Sequence, residues 1–190
     1  MTDVFPVLRV LGMLIMLFAL AMGVPLAVSW YAQDGVWQVY PAAMGVALLV
    51  GLGLLVGMRR YKRELQPRHG VMLVSLVWAL LPLFAAVPLM LACAQIGRPM
   101  SFTHAYFEAV SGLTTTGSTV LSNLDTLPVS VNVWRTFLQW IGGMGILILA
   151  VAVLPLLGVG GAQLFKAEAA GPIKDTKLTP RMTETAKGLW

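Results

Sequence analysis

The chain has 190 residues, of which 58% are hydrophobic and 11% charged, and it carries a net charge of +5. Soluble domains average roughly 45–50% apolar and about 25% charged residues, so this sequence lacks the charge to clothe a water-facing surface, and lipid is the expected solvent over most of its length. The positive excess does not read as a nucleic-acid surface, because it is confined to short segments at the ends of apolar stretches.

Taken in chain order, the charged residues leave four long gaps: Arg9 to Asp34, Asp34 to Arg59, Arg68 to Arg98 and Arg135 to Lys166. Each exceeds the roughly 20 residues a helix needs to cross about 30 Å of hydrocarbon. The gaps predict spanning helices at about 8–31, 38–58, 71–96 and 132–160. A cleaved signal peptide does not suit the first, whose apolar stretch is longer than an h-region of about 7–15 residues and lacks a small-residue cleavage site before Trp30. Spans one and two form a hairpin with its turn at Gln33-Asp34-Gly35 and Pro41 early in the second helix. Gly45, Gly51, Gly53 and Gly57 give that helix a small-residue face, including a Gly53-x-x-x-Gly57 pair suited to close helix approach. Arg59, Arg60, Lys62, Arg63 and Arg68 fill the next loop, and Lys166, Lys174, Lys177, Arg181 and Lys187 follow the last span. Basic loops mark the cytoplasmic side, so both termini and the 59–70 loop are expected inside, with 32–37 and 97–131 outside.

Span three carries Pro82 and Pro88 as expected kinks. The segment 99–131 after it is broken by Glu108, Asp125 and Pro128 and does not read as a span. Ser101 or Thr103 is placed to cap a short helix of about three turns, which runs into Ser111-Gly112-Leu113-Thr114-Thr115-Thr116-Gly117-Ser118-Thr119. Span four begins near Asn132, and Gly142, Gly143 and Gly145 are expected to pack it against the short helix or to form a hinge. Residues 162–190, with Pro172 and Pro180, read as a cytoplasmic linker. Cys93 is alone, which leaves no disulfide framework within the chain. His69 and His104 lack the companions a metal site needs.

Non-helical backbone at membrane depth is tolerated only where protein buries it or where it lines a wet cavity. A Thr/Gly loop between a short helix and a span suits a dehydrated K⁺, which needs stacked oxygen ligands that backbone carbonyls supply without net charge. In that reading Thr115, Thr116, Gly117 and Ser118 present carbonyls, with β-branched Thr115 and Thr116 holding extended backbone and Gly117 adopting φ > 0. Glu108, Thr114 and Thr119 support the loop from behind. Asp125 and Arg135 flank an outer mouth, where they pair with each other or stand as separate interfacial charges. Trp134 and Trp140 serve packing and interfacial anchoring.

The string Tyr106–Thr119 resembles the first pore loop of the TrkH/KtrB family of potassium transporters. Trp134-Arg135-x-Phe137-Leu138-Gln139-Trp140-Ile141-Gly142-Gly143-Met144-Gly145 is similar to that family's first inner helix, and the likeness continues through Leu154-Pro155 and 160–181. The resemblance implies an all-α integral membrane protein: a two-helix hairpin (1–61), one potassium-channel-like helix–pore loop–helix repeat (62–161), and a linker (162–190) toward an absent second repeat. It further implies K⁺ as the transported ion and no cofactor. Its implied partners are membrane lipid, the remaining pore repeats in the same full-length chain or other copies, a cytoplasmic nucleotide-binding regulatory subunit of the Trk type, and a second copy in a homodimer. The bacterial cytoplasmic membrane is the implied location. The family has four repeats and this sequence one, so it supplies one quarter of a ring and reads as an N-terminal fragment or truncated product. A homotetrameric channel and a non-transporting assembly fragment are the alternatives. A lipid-phosphate enzyme using Ser111, Glu108 and Arg135 fits poorly, since developing phosphate charge calls for several cations and only Arg135 is near. No phosphate-cradling Gly-x-x-x-x-Gly-Lys-Ser/Thr motif is present.

Overall fold

The computed structural model describes residues 4–59 and 67–153. Among the described residues the helices are α1 (Phe5–Ala21), α2 (Gly23–Ala32), α3 (Val39–Gly57), α4 (Pro67–Gln95), α5 (Phe102–Leu113) and α6 (Val129–Val153), with a 3-10 turn at Leu124–Thr126. Phe5–Ala32, Val39–Gly57 and His69–Gln95 are long and apolar enough to cross a membrane. The expected fourth span, 132–160, overlaps α6 as far as Val153; its remainder lies outside the described residues, as do most of the basic loop and the linker 162–190. Residues 4–143 pack as one unit and contain every contact described below; from Met144 onward a second unit begins, of which the remaining turns of α6 are described.

The first span is interrupted where a single helix is expected. α1 ends at Ala21, Met22 sits between the helices, and α2 starts at Gly23. Pro25 explains the break: it has no N–H to donate four residues back, and its ring crowds the preceding turn. The hairpin turn forms as expected, with Gln33 left-handed at φ +52° and Gly35 at φ +82°. It also delivers an interaction that no local pattern announces. Asp34 accepts from the Ser29 hydroxyl and from the Val36 amide at 3.3 Å, and its other oxygen accepts from the Ser130 amide at 3.0 Å, in the first turn of α6. Burial pushes this carboxyl up, but hydrogen bonds from Ser130, Ser29 and Val36 outweigh burial and hold it below the usual carboxylate range. The stability this contributes is therefore present above the ordinary Asp value and is lost only as pH falls through the depressed one.

Hairpin packing rests on a different glycine pair from the one the spacing suggests. A Cβ at Gly53 or Gly57 would meet nothing within 4 Å, whereas one at Gly12 would lie 2.8 Å from the Gly51 carbonyl oxygen. One at Gly51 would lie 2.9 Å from the Gly12 carbonyl oxygen, so α1 and α3 touch backbone to backbone. Between lipid-solvated helices, such close van der Waals approach replaces the hydrophobic drive that water supplies to soluble proteins. Around this seam Leu11, Ile15, Phe18 and Ala19 of α1 are buried with Ala43 and Ala47 of α3.

α4 carries Pro82 and Pro88 within a continuous helix of 29 residues. Neighbouring side chains meet the turns these prolines loosen. The Tyr106 hydroxyl of α5 donates to the Ala79 carbonyl at 3.1 Å, and the Trp134 indole of α6 donates to the Ala85 carbonyl at 3.1 Å. Ala79 and Ala85 each stand three residues before a proline, next to Trp78 and Phe84, whose carbonyls Pro82 and Pro88 leave without their usual helical donors. Trp134 is wholly buried and tilts against Phe18 of α1 with ring centroids 5.6 Å apart.

Gly12→Val is expected to destabilise the protein by about 1–3 kcal/mol, the range for overpacking a filled core, while Gly53→Ala should be near neutral. Thermal unfolding of the two variants in one detergent checks this, and equal losses would mean the seam is misplaced.

Candidate functional site

α5 begins as the sequence suggests, with Ser101 as N-cap accepting the His104 amide at 3.3 Å. Its other end is the informative one. The Thr115 amide donates to the Gly112 carbonyl and the Thr116 amide to the Ser111 carbonyl, both at 2.9 Å. These are the two bonds of a Schellman cap, whose turning residue is left-handed and usually Gly. Here that residue is Thr115, at φ +57°. The expectation of extended backbone at Thr115 is thus corrected: the cap closing α5 dictates its conformation, against the β-branched preference. A left-handed non-Gly residue costs roughly 1–2 kcal/mol, and such outliers gather at functional sites. Gly117 also turns left-handed, at φ +74°.

Beyond the cap the loop is hung from two α5 residues. The Ser111 carbonyl accepts from Thr116 and, at 3.4 Å, from Gly117, while the Ser111 hydroxyl donates to the Ser118 carbonyl at 2.6 Å. The Glu108 carboxylate accepts from the Thr119 hydroxyl and the Val120 amide, each at 2.6 Å. Its second oxygen takes the Arg135 Nε of α6 at 3.1 Å, with the Glu108 side chain 1% exposed and that of Arg135 14% exposed. Thr114 donates its hydroxyl to the Val110 carbonyl at 2.9 Å and lies 2.8 Å from the Thr116 hydroxyl. The outcome is asymmetric. The amides of Thr115, Thr116, Gly117 and Val120 are engaged on the α5 side, whereas among the described residues the carbonyls of Thr115, Thr116 and Gly117 accept no hydrogen bond. Residues 114–120 are exposed, so the segment presents unengaged oxygens to whatever lies in front of it.

α6 holds the far side of this cradle. A Cβ on Gly142 would fall 1.8 Å from the Leu113 carbonyl oxygen, so only glycine admits the α5 terminus there. A Cβ on Gly112 would be 3.1 Å from that of Leu138, and one on Gly143 would reach Thr115 Cγ2 at 3.7 Å.

Residues 38–190 match the TrkH family, described as cation transport proteins. The chain belongs to the TrkH family. It is 48% identical to the Trk system potassium uptake protein TrkH of Halomonas elongata over 97% of its own length and 38% of that protein's. Against the TrkH of Escherichia coli K12 the figures are 44%, 96% and 37%, and against TrkG of the same strain 37%, 94% and 36%. The crystal structure of the potassium transporter TrkH from Vibrio parahaemolyticus matches with a TM-score of 0.80 at 39% identity, over 98% of this chain and 36% of that one. The chain therefore spans under two fifths of the length of these relatives, and its helical fold matches the corresponding part of the Vibrio parahaemolyticus structure. The family so matched is one of cation transport proteins, not of enzymes.

Within this TrkH-type fold, Thr114 to Thr119 form one continuous loop with Glu108 directly behind it. Arg135 joins that group through Glu108, where the sequence left it either paired with Asp125 or a separate interfacial charge; Asp125 lies exposed in the 3-10 turn. The two carboxylates lie in different settings because α5 carries Glu108 onto the face buried against α6, while Asp125 sits beyond the loop. Ser111 is the holding residue that sequence reasoning passed over. Its signal was a small hydroxyl residue beside Gly112 in the last turn of a helix, where its side chain is short enough to fold back onto the loop.

Removing one partner of a buried pair strands the other charge, at a cost of about 3–5 kcal/mol. Glu108→Ala should lose stability on that scale, Glu108→Gln less, and the Glu108→Gln/Arg135→Gln double variant less than the two singles added. Denaturation in detergent measures the cycle, and strict additivity would show that the pair does not couple.

Proposed function

We propose that this chain takes part in potassium uptake across the cytoplasmic membrane, with Thr115, Thr116, Gly117 and Ser118 forming one quarter of a selectivity filter. The observation that carries this reading is the division of the loop's polar groups, with the amides of Thr115, Thr116, Gly117 and Val120 bonded to α5 and, among the described residues, the carbonyls of Thr115, Thr116 and Gly117 unengaged. Such a row of oxygens attracts a cation stripped of water. The Ser118 carbonyl, which takes the Ser111 hydroxyl, keeps a second lone pair for the ion. Relatives named as potassium uptake proteins support the choice of K⁺.

On this reading the chain divides into the hairpin 1–61, the pore repeat 62–161 and the linker 162–190. Glu108, Thr114 and Thr119 brace the filter, Asp125 raises cation concentration at the outer mouth, and Arg135 supports the loop through Glu108. Both termini are cytoplasmic, as the basic segments suggest. The other three quarters of the ring come from further repeats, and a nucleotide-binding regulatory subunit and a second copy complete the assembly. Membrane potential supplies about 2.3 kcal/mol per charge per 100 mV, enough to draw K⁺ inward.

Gly117 gives the sharpest test. A Cβ there would meet only Gln139 Nε2, at 3.9 Å, so space is not the obstacle; its φ of +74° is. Gly117→Ser, in the complete uptake protein carrying this segment, is expected to lower the K⁺/Na⁺ permeability ratio about tenfold, the equivalent of 1–2 kcal/mol of backbone cost. A ratio equal to that of the unmodified protein would sink the filter assignment.

A further inference from the structure

We infer that Asp34, in the turn of the N-terminal hairpin, is a positioning residue for the selectivity loop, acting as a helix cap supplied to α6 from outside its own sequence. The inference rests on the filter reading above for its function, but its structural half stands apart from it. Helix N-termini leave amides without intrahelical partners, and a side-chain oxygen from the preceding residue usually takes one. Pro128, just before α6, has no such oxygen. Its carbonyl accepts Val131 and Asn132, at 3.0 and 3.3 Å, and the Ser130 amide turns instead to Asp34 Oδ2 at 3.0 Å. A carboxylate at that end also complements the helix dipole.

The geometry makes this a brace rather than a chance contact. Asp34 uses one oxygen within the hairpin, on Ser29 and Val36, and the other across to α6. Left-handed Gln33 and Gly35 on either side fix its direction. From Ser130, α6 runs about one and a half turns to Arg135, whose Nε meets Glu108 at 3.1 Å, and Glu108 in turn holds Thr119 and Val120 at 2.6 Å. Between these points, the contact of Phe18 with buried Trp134 fixes α6 against α1 at a second height. Rotation or sliding of α6 about its axis would draw Arg135 off Glu108, and the hairpin opposes both motions. The two N-terminal helices thereby gain a role in ion discrimination besides occupying lipid.

The test uses the complete uptake protein carrying this segment, as Asp34→Ala, Asp34→Asn and the lipid-facing control Leu49→Ala, in proteoliposomes. Two readouts are taken: the Rb⁺/Na⁺ uptake ratio, and amide hydrogen exchange by mass spectrometry over 116–135. Asp34→Ala should lower the ratio roughly three- to tenfold, a coupling of ordinary size between linked sites, and should speed exchange across 116–135. Asp34→Asn, with one acceptor oxygen left, should fall between, and Leu49→Ala should change neither. Faster exchange confined to the hairpin turn, or Rb⁺ and Na⁺ uptake falling in equal proportion, overturns the proposal. If Asp34→Ala loosens 116–135 while Gly117→Ser leaves selectivity unchanged, the brace stands and the filter reading falls.

Discussion

The Glu108 carboxylate is the point on which the rest of the arrangement depends. It is a buried acceptor with two faces, one on the loop through Thr119 and Val120 and one on α6 through Arg135. A buried carboxylate is tolerable only when such partners replace the water it has lost, so loop, α5 and α6 are obliged to meet there. With Ser111 taking Thr116 and Gly117, the loop's donors turn back toward protein. A segment whose Thr115, Thr116, Gly117 and Val120 amides are bonded, while the Thr115, Thr116 and Gly117 carbonyls are not, has in effect been sorted by polarity. That sorting creates an electronegative surface from an uncharged backbone.

Everything around this point serves to keep α5 and α6 at a fixed separation. Gly142 lets α6 rest on the Leu113 carbonyl, at a distance no other residue allows. Pro82 and Pro88 interrupt the hydrogen-bond ladder of α4, and in the same turns the Ala79 and Ala85 carbonyls receive Tyr106 and Trp134. A residue type that breaks helices in water thus becomes a docking device between helices in lipid. The Gly12–Gly51 contact joins α1 to α3 by the same logic of close approach, and Phe18 links that hairpin to Trp134.

The features legible in sequence were those with a period or a composition. Charge gaps located α3 and α4 to within a few residues, Ser101 or Thr103 marked the start of α5 (Ser101 is the cap), and Gln33-Asp34-Gly35 marked the turn. Glu108 behind a Thr/Gly run was visible because a carboxylate in an apolar segment demands partners. What escaped was set by contacts between distant residues. Neither Arg135 with Glu108 nor Asp34 with Ser130 leaves a local trace, since each pair forms only once the helices have packed. Gly12 was lost among the apolar residues of α1, while the more regular Gly53 and Gly57 drew attention to an open face. At Thr115 the β-branched preference pointed the wrong way, because a two-bond helix cap overrode it.

The account stands or falls on whether the unengaged carbonyls meet the ion. The direct measurement is crystallographic, with Rb⁺ or Tl⁺ exchanged for K⁺ in the complete protein and anomalous density sought at the loop. The account predicts density in contact with the carbonyl oxygens of Thr115, Thr116 and Gly117, weakened in Gly117→Ser. Ion density along the pathway that touches only side chains, with none at these carbonyls, would contradict it.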